Sequence, residues 1–233
     1  KRYSCRIFPV PSYCHVIQEN IGRSPYYDIN NLPGNTDWQD ELFRVAPITN
    51  FNISHTGGNE STKTFLAANY LEQKGIVKKT GYSAGEITAN VVNKVTNWLS
   101  VNTNINANHS VRETSSGNTR QLLQVSSVAP VFNEEGDYYD VTSLPTSDNI
   151  WVNPVGDKDR REAQSVANEF NGNSNLVFQL TNELKFDARL GMRYNNSRSD
   201  GYTAVINYDP NNSASISESN SYKYLIENIV SYN

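Results

Sequence analysis

Apolar and polar residues alternate with a period of two over long stretches of this chain. In the clearest stretch, 98–111, one parity is mostly apolar and the other, from residue 100 onward, carries only Ser and Asn. The apolar parity holds Leu99, Val101, Thr103, Ile105, Ala107 and Val111, and the polar parity holds Ser100, Asn102, Asn104, Asn106, Asn108 and Ser110. Such a run exceeds the roughly five or six residues of a typical soluble strand and matches the roughly 9–11 tilted residues that cross a bilayer. The row of small amides favours the wet interior of a large barrel.

The same alternation recurs along the chain and predicts an all-β fold, an antiparallel meander of about seven or eight long strands. The predicted strands are 48–55, 62–72, 86–95, 98–111, 176–180, 184–194, 202–208 and 222–232. The connections between them alternate in length: tight turns near 57–61, 95–97 and 181–183, and long ones near 73–83, over 113–172, and at either 195–201 or 209–221. Short turns at one end and long loops at the other are typical of outer-membrane barrels. A short helix is predicted within the longest loop, over 158–169.

A second predicted helix precedes the first strand, in the segment 35–44. Thr36 or Asp37 can cap its amino terminus, and acidic residues in its first turn suit the helix dipole. Trp38, Leu42 and Phe43 would share one face.

Composition and motifs exclude several function classes. The net charge is −4 and no basic stripe with interleaved aromatics occurs, so nucleic-acid binding is not predicted. The sequence contains no run of 18 apolar residues, so no transmembrane helix is predicted. None of the three histidines lies in an HExxH motif, and the acidic residues of the long loop do not follow an EF-hand order. We therefore predict that the chain is not an enzyme, with no catalytic residues, cofactor or metal site.

The segments "NTDWQDELFR" (35–44) and "APITNFNISHTGGNESTKTFLAANYLEQKGIVKKTGY" (46–82) resemble the SusC/RagA family of TonB-dependent transporters. That family has a similar helix before a barrel strand, then a Gly-Gly-Asn-Glu turn, then a strand that ends in a Tyr…Gln-x-Gly-Ile pattern. The resemblance continues at 184–202 and 227–233 and covers roughly residues 20–233. Residues 1–20 do not look like the family.

The resemblance implies a partial outer-membrane β-barrel wall over 48–233, with residues 21–47 as a loop and short helix leading into it. Family members carry a signal peptide, a TonB-binding box and a plug domain before this region and further strands after it, so contact with TonB is expected only through those parts. The implied partners are outer-membrane lipids, a SusD-like lipoprotein lid and an oligosaccharide or peptide substrate. The implied location is the outer membrane of a Gram-negative bacterium.

Substrate contacts are expected from aromatic side chains in the long loop, because sugar sites combine an aromatic platform with amide and carboxylate groups. The candidates are Tyr138, Tyr139 and Trp151, beside Asp137, Asp140 and Asn153. Two alternatives stay open: a small self-contained barrel with a structural or adhesive role, and a soluble carbohydrate-binding β-sandwich. The sandwich would need a second apolar sheet face to close its core.

Overall fold

The computed structural model describes residues 34–114, 124–143 and 152–232, and seven strands within them form one antiparallel sheet. The strands follow one another in the order β1 to β7, so every connection joins neighbours. Their bounds are β1 Ile48–Gly58, β2 Thr62–Lys74, β3 Gly81–Lys94, β4 Leu99–Thr114, β5 Arg161–Gln179, β6 Leu184–Thr203 and β7 Ser213–Tyr232. The predicted antiparallel meander is confirmed.

The strand register gathers the amides of the middle strands on one side of the sheet, which we call the polar face. Asn104 of β4 lies opposite Asn90 of β3 and Asn173 of β5, and Asn102 lies opposite Asn175. Residues directly opposite each other project to the same side of a sheet. The Asn row of β4 is therefore part of a wider amide surface that covers at least three strands.

The polar face also carries charged side chains in β5, β6 and β7. Arg193 of β6 lies 3.8 Å from Glu169 of β5, and Arg189 of β6 lies 3.6 Å from Glu227 of β7. All four side chains are about half exposed. Ion pairs at this exposure indicate a face that contacts water.

The opposite side, which we call the apolar face, carries the apolar parity of each strand. Phe51 of β1 lies opposite Tyr70 of β2, and Ile87 of β3 lies opposite Ala107 of β4. Many of these side chains are largely exposed, among them Phe51 (63%), Ile87 (62%) and Ile226 (73%). No second sheet covers this face within the described residues, which leaves the β-sandwich hypothesis without its second layer.

The three tight turns are stabilised by the same kind of hydrogen bond, from backbone nitrogens to a side-chain oxygen at the start of the turn. The side-chain oxygen of Asn59 accepts hydrogen bonds from the backbone nitrogens of Ser61 and Thr62. Thr96 does the same for Trp98 and Leu99 in the β3–β4 turn, and Thr181 for Glu183 and Leu184 in the β5–β6 turn. A side chain that bonds backbone donors two and three residues ahead stabilises a turn locally.

The predicted helix over 158–169 is wrong, because residues from Arg161 onward belong to β5. In the stretch 161–169 polar residues occur on both parities and the apolar residues Ala163, Val166 and Ala167 do not alternate, so its pattern does not indicate a strand. Sixteen residues of β4, from Leu99 to Thr114, pair with β5 from Phe178 to Ala163, and this pairing overrides the local pattern. The long connection therefore ends before Arg161 rather than at residue 172.

The predicted strand over 202–208 is also wrong. β6 continues to Thr203, and residues 204–212 form the connection to β7, with one isolated bridge between Ile206 and Asp209. Seven of the eight predicted stretches thus correspond to the seven strands, and most of these strands extend beyond the alternating segment by which they were predicted.

The chain divides into two compact units. Within the described residues, one unit comprises 34–43, 124–143, 152–161 and 203–212, and we call it the loop unit. The other, the sheet unit, holds the remaining described residues.

The loop unit has a small apolar core built around the first helix, α1 (Trp38–Leu42). Trp38 and Leu42 are buried with Ala129 and Val141, and Phe43 packs against them. The indole nitrogen of Trp38 donates to the carbonyl of Ser126 at 3.1 Å. The predicted shared face of the helix is confirmed.

Asp37 caps α1: its Oδ1 accepts from the backbone nitrogens of Gln39 and Asp40. Thr36, the other candidate cap, instead donates from its hydroxyl to the carbonyl of Ala129 at 2.7 Å.

A second helix, α2 (Pro154–Asp159), contacts α1 within the loop unit. Pro154 occupies its first turn, where a missing N–H is tolerated. Among the described residues, no helix is long and apolar enough to cross a membrane, and this includes the short 3-10 turn Val141–Ser143.

Candidate functional site

An open groove of about 560 Å³ lies in the loop unit. One wall comes from the segment 132–138 and the other from 205–207, which lies in the β6–β7 connection. Its lining consists of Phe132, Gly136, Asp137, Tyr138, Val205, Ile206 and Asn207. The volume falls in the range of small-ligand sites, about 300–1,000 Å³. The lining combines two aromatic rings with one carboxylate and one amide.

Tyr138 is held in place at the ring, at the hydroxyl and at the backbone. Its ring lies 5.2 Å from the ring of Phe132, in a tilted arrangement. Its hydroxyl donates to Oδ2 of Asp159 at 2.8 Å, and its carbonyl accepts from Nδ2 of Asn207 at 2.8 Å. Burial, reinforced by the bond to Asp159, raises the pKa of Tyr138 to about 12. The phenol therefore keeps its proton, and its bond to Asp159, throughout the physiological range.

An ion-pair cluster joins the two segments that provide the groove walls. Arg160 follows α2, and its guanidinium contacts Asp157 at 3.2 Å and Asp209 of the 204–212 connection at 2.6 Å. The carbonyl of Arg160 also accepts from the backbone nitrogen of Ala204. Hydrogen bonds from Asn211 and from Arg160 lower the pKa of Asp209, so this carboxylate is charged at neutral pH.

Asn153, one of the residues predicted to lie beside the substrate, is fully buried and serves the backbone instead. Its Oδ1 caps α2 by accepting from the backbone nitrogens of Val155 and Gly156. Its Nδ2 donates to the carbonyls of Val131 and Tyr139. The same side chain thus fixes α2 against the segment that carries Tyr138.

Replacing Gly156 with alanine is expected to displace Tyr138. A Cβ at Gly156 would lie 2.9 Å from Cγ of Tyr138 and 2.9 Å from the hydroxyl oxygen of Tyr208. Overpacking of this kind costs about 1–3 kcal/mol. The exchange rate of backbone amides in the loop unit should rise for Gly156→Ala but not for Gly85→Ala. A Cβ at Gly85 of β3 would meet no atom within 4 Å, and the backbone there does not have a positive φ. Equal exchange in both variants would contradict this packing.

The structure describes two of the three predicted substrate-binding aromatics, and it places them apart. Tyr138 lines the groove, whereas Tyr139 is half-buried and packs against the core around Trp38. Trp151 lies outside the described residues. Asp137 lines the groove, and Asp140 bonds the backbone nitrogen and hydroxyl of Thr142.

Phe132 and Asn207 belong to the groove and were not predicted from the sequence. Phe132 could have been found from its position six residues before Tyr138, across an apparent Asn-Glu-Glu-Gly-Asp turn. Nothing in the sequence connects Asn207, 69 residues further on, with Tyr138. Among the described residues, no three His, Cys, Asp or Glu side chains form a group that could hold a metal ion.

Comparisons with known proteins show that this chain is similar to TonB-dependent receptors. The chain is 25% identical over 216 residues to TonB-dependent receptor P3 of Formosa agariphila, a match that covers 86% of this chain and 21% of the relative. It is 24% identical over 186 residues to TonB-dependent receptor SusC of Bacteroides thetaiotaomicron, covering 69% of this chain and 18% of the relative. The chain resembles the SusC/RagA-like TonB-dependent transporters. The resemblance inferred from the sequence motifs is therefore confirmed.

The fold agrees with that of a SusC/RagA-like barrel. A chain in the structure of the RagAB peptide importer in its closed-closed state superposes with a TM-score of 0.69 at 19% identity. The match covers 88% of this chain and 24% of that chain. This chain thus spans about a fifth of the length of its SusC-like relatives and about a quarter of the solved chain. No protein-family model matches it.

Proposed function

We propose that this chain is a wall segment of a TonB-linked outer-membrane transporter that imports oligosaccharides or peptides together with a SusD-like lipoprotein. The observation that carries the proposal is the division of the sheet into two unlike faces. A soluble sheet buries its apolar face, whereas here large apolar side chains remain exposed on six of the seven strands, all except β5. A barrel in the outer membrane turns such a face toward lipid and the polar face toward its interior. The lipids of the outer membrane are the partners of the apolar face.

The proposed cargo and lipoprotein rest on the relatives. One solved relative is described as the RagAB peptide importer, and another relative is SusC. The groove around Tyr138 supports a role in substrate contact, since its rings offer an apolar platform while Asp137 and Asn207 offer hydrogen bonds. A TonB connection would be made by parts of the protein outside this chain.

Transport can be tested in the native bacterium with the gene expressed at its own locus. Deletion should abolish uptake of one class among labelled oligosaccharides and peptides, and affinity purification of the tagged protein should recover one outer-membrane lipoprotein. Unchanged uptake of every class together with a soluble fractionation of the protein would overturn the proposal.

Tyr138→Ala is expected to weaken substrate uptake at low concentration, because it removes one face of the aromatic platform. Loss of one stacked ring contact corresponds to about 0.5–1.5 kcal/mol, or roughly a two- to tenfold rise in the half-saturating concentration. Tyr138→Phe is the matched control: it keeps the ring and loses the hydrogen bond to Asp159. If Tyr138→Ala and Tyr138→Phe give the same uptake curve as the native protein, the groove is not a substrate site.

A further inference from the structure

A line of hydrogen-bonded polar side chains crosses the apolar face from β4 to β7, and we call it the amide belt. Nδ1 of His109 lies 2.7 Å from Oδ1 of Asn168, and Nδ2 of Asn168 donates to Oδ1 of Asn196 at 3.1 Å. Nδ2 of Asn196 donates in turn to Oδ1 of Asn220 at 2.8 Å and to Glu218 at 3.3 Å. Each of the four strands contributes at least one member.

The belt lies on the same side of the sheet as the apolar rows. His109 and Asn168 are register partners, and they share parity with Ala107 and its partner Phe170. The rings of Phe178 and Phe186 lie 5.7 Å apart, which places the even residues of β6 on this face. The rings of Tyr194 and Tyr222 stack with their centroids 4.8 Å apart, which places the even residues of β7 on this face as well.

The belt divides two chemically different parts of the apolar face. Toward the tight-turn end, the even positions of β6 from Leu184 to Tyr194 and of β7 from Tyr222 to Tyr232 carry no charge. Toward the long-connection end, the same face of β4 to β7 carries Glu113, Glu162, Arg198, Asp200 and Glu218. All the charged residues on this face of β4 to β7 thus lie on the long-connection side of one row of amides, where they alternate with apolar residues such as Val111 and Val166.

The uncharged part has the height of a bilayer's hydrocarbon. Ten residues of strand at about 3.3 Å each span about 33 Å. At a strand tilt of about 40°, this length rises about 25 Å, which is the height of the apolar band on outer-membrane barrels. β6 and β7 give spans of the same length. At the end next to the belt, the β6 span ends at Tyr194 and the β7 span at Tyr222. Tyrosines of this kind are typical of the level at which hydrocarbon meets head groups.

We propose that the amide belt is a docking strip for the sugar-bearing head groups of the outer lipid leaflet, an inference that rests on the proposed outer-membrane function. An Asn side chain offers two donor hydrogens and an oxygen with two acceptor sites, and the lateral bonds of the belt use only part of this capacity. Sugar hydroxyls can use the remainder because they both donate and accept. The charged residues beyond the belt are four acids and one base, which disfavours direct binding of lipid phosphates to the strip.

The depth of the belt can be measured by cysteine labelling of the full protein in intact cells, in a Cys5→Ser/Cys14→Ser background. Asn220→Cys should react with a membrane-impermeant maleimide, whereas Ile226→Cys should react only after detergent solubilisation. Asn220 and Ile226 lie on the same face of β7. Protection of both positions would overturn the belt while leaving the membrane placement intact. Rapid labelling of both in cells would overturn the proposed membrane function itself.

The head-group chemistry needs a second measurement. The protein purified from outer membranes is placed in vesicles of phosphatidylethanolamine alone or with added lipopolysaccharide, and its thermal unfolding is followed. Lipopolysaccharide should raise the unfolding temperature of the native protein and of Asn220→Gln, which keeps the amide. The rise should be largely lost in Asn196→Leu/Asn220→Leu. An equal rise in the leucine double variant would show that the belt does not bind these head groups.

Discussion

Trp38→Ala is expected to unfold the loop unit while the sheet remains paired. Trp38 is 1% exposed, and its indole nitrogen is bonded to the carbonyl of Ser126. Removing a buried tryptophan side chain costs about 3–5 kcal/mol. The core of this unit contains few other buried apolar residues within the described part of the chain, so little remains to compensate the loss.

Hydrogen exchange measures this effect separately for each unit. The backbone nitrogens of Thr36 and Tyr139 donate to the carbonyls of Ser127 and Val131 in the loop unit. The protection of these two amides from hydrogen exchange should fall by about a hundred- to several thousandfold. This factor is the cost of about 3–5 kcal/mol expressed as a change in the opening equilibrium. Amides of β4 should be unchanged. Val45→Ala is the control, since Val45 is 94% exposed and its loss should change stability by less than about 0.5 kcal/mol. Unchanged protection in Trp38→Ala would contradict the assigned core.

The second large loss of stability is expected for Leu190→Arg, because the proposed function places the apolar face against the lipid bilayer. Leu190 lies near the middle of the uncharged span of β6 on the apolar face and is 48% exposed in the sheet itself. An arginine at the midplane of the lipid-facing side costs about 2–4 kcal/mol. The free energy of unfolding of the bilayer-embedded protein should fall by that amount, and less folded protein should accumulate in the outer membrane.

Leu225→Arg of β7 provides the matched control, because it makes the same substitution on the polar face at a half-exposed position beside Gly191 of β6. The polar face already carries ion pairs that are open to water, so this added charge should change stability by about 0.5 kcal/mol or less. Equal losses for the two variants would mean that the two faces do not meet different environments.

The sheet could be predicted from the sequence wherever one face is uniformly apolar. β4 is the clearest case, because every second residue from Leu99 to Ala107 is apolar or Thr while the others are Ser or Asn. The first half of β5 could not be predicted in this way. Its residues from Arg161 to Ser165 are all polar except Ala163, and the pairing with β4, which begins at Ala163, is made across the long connection. Local pattern carries no information about such pairing.

The candidate groove was only partly accessible to sequence reasoning. Tyr138 was found because aromatic and acidic residues cluster around it, but the same criterion selected Tyr139, whose ring packs on the core. Two residues adjacent in sequence point to different sides of an irregular segment, and composition cannot separate them. The second wall of the groove comes from the 204–212 connection, whose position depends on Arg160 and Asp209.

The turn caps have a consequence for the order in which the chain acquires its structure. Asn59, Thr96 and Thr181 each close a turn with bonds that span two or three residues, and "Thr-Asn-x-Leu" occurs in both the second and the third turn. Three hairpins, β1–β2, β3–β4 and β5–β6, can therefore form early in folding, each at a small loop-closure cost. The nearest paired residues of β4 and β5, Thr114 and Ala163, are separated by a much longer segment. Joining preformed hairpins across that segment is expected to be the slow step of folding.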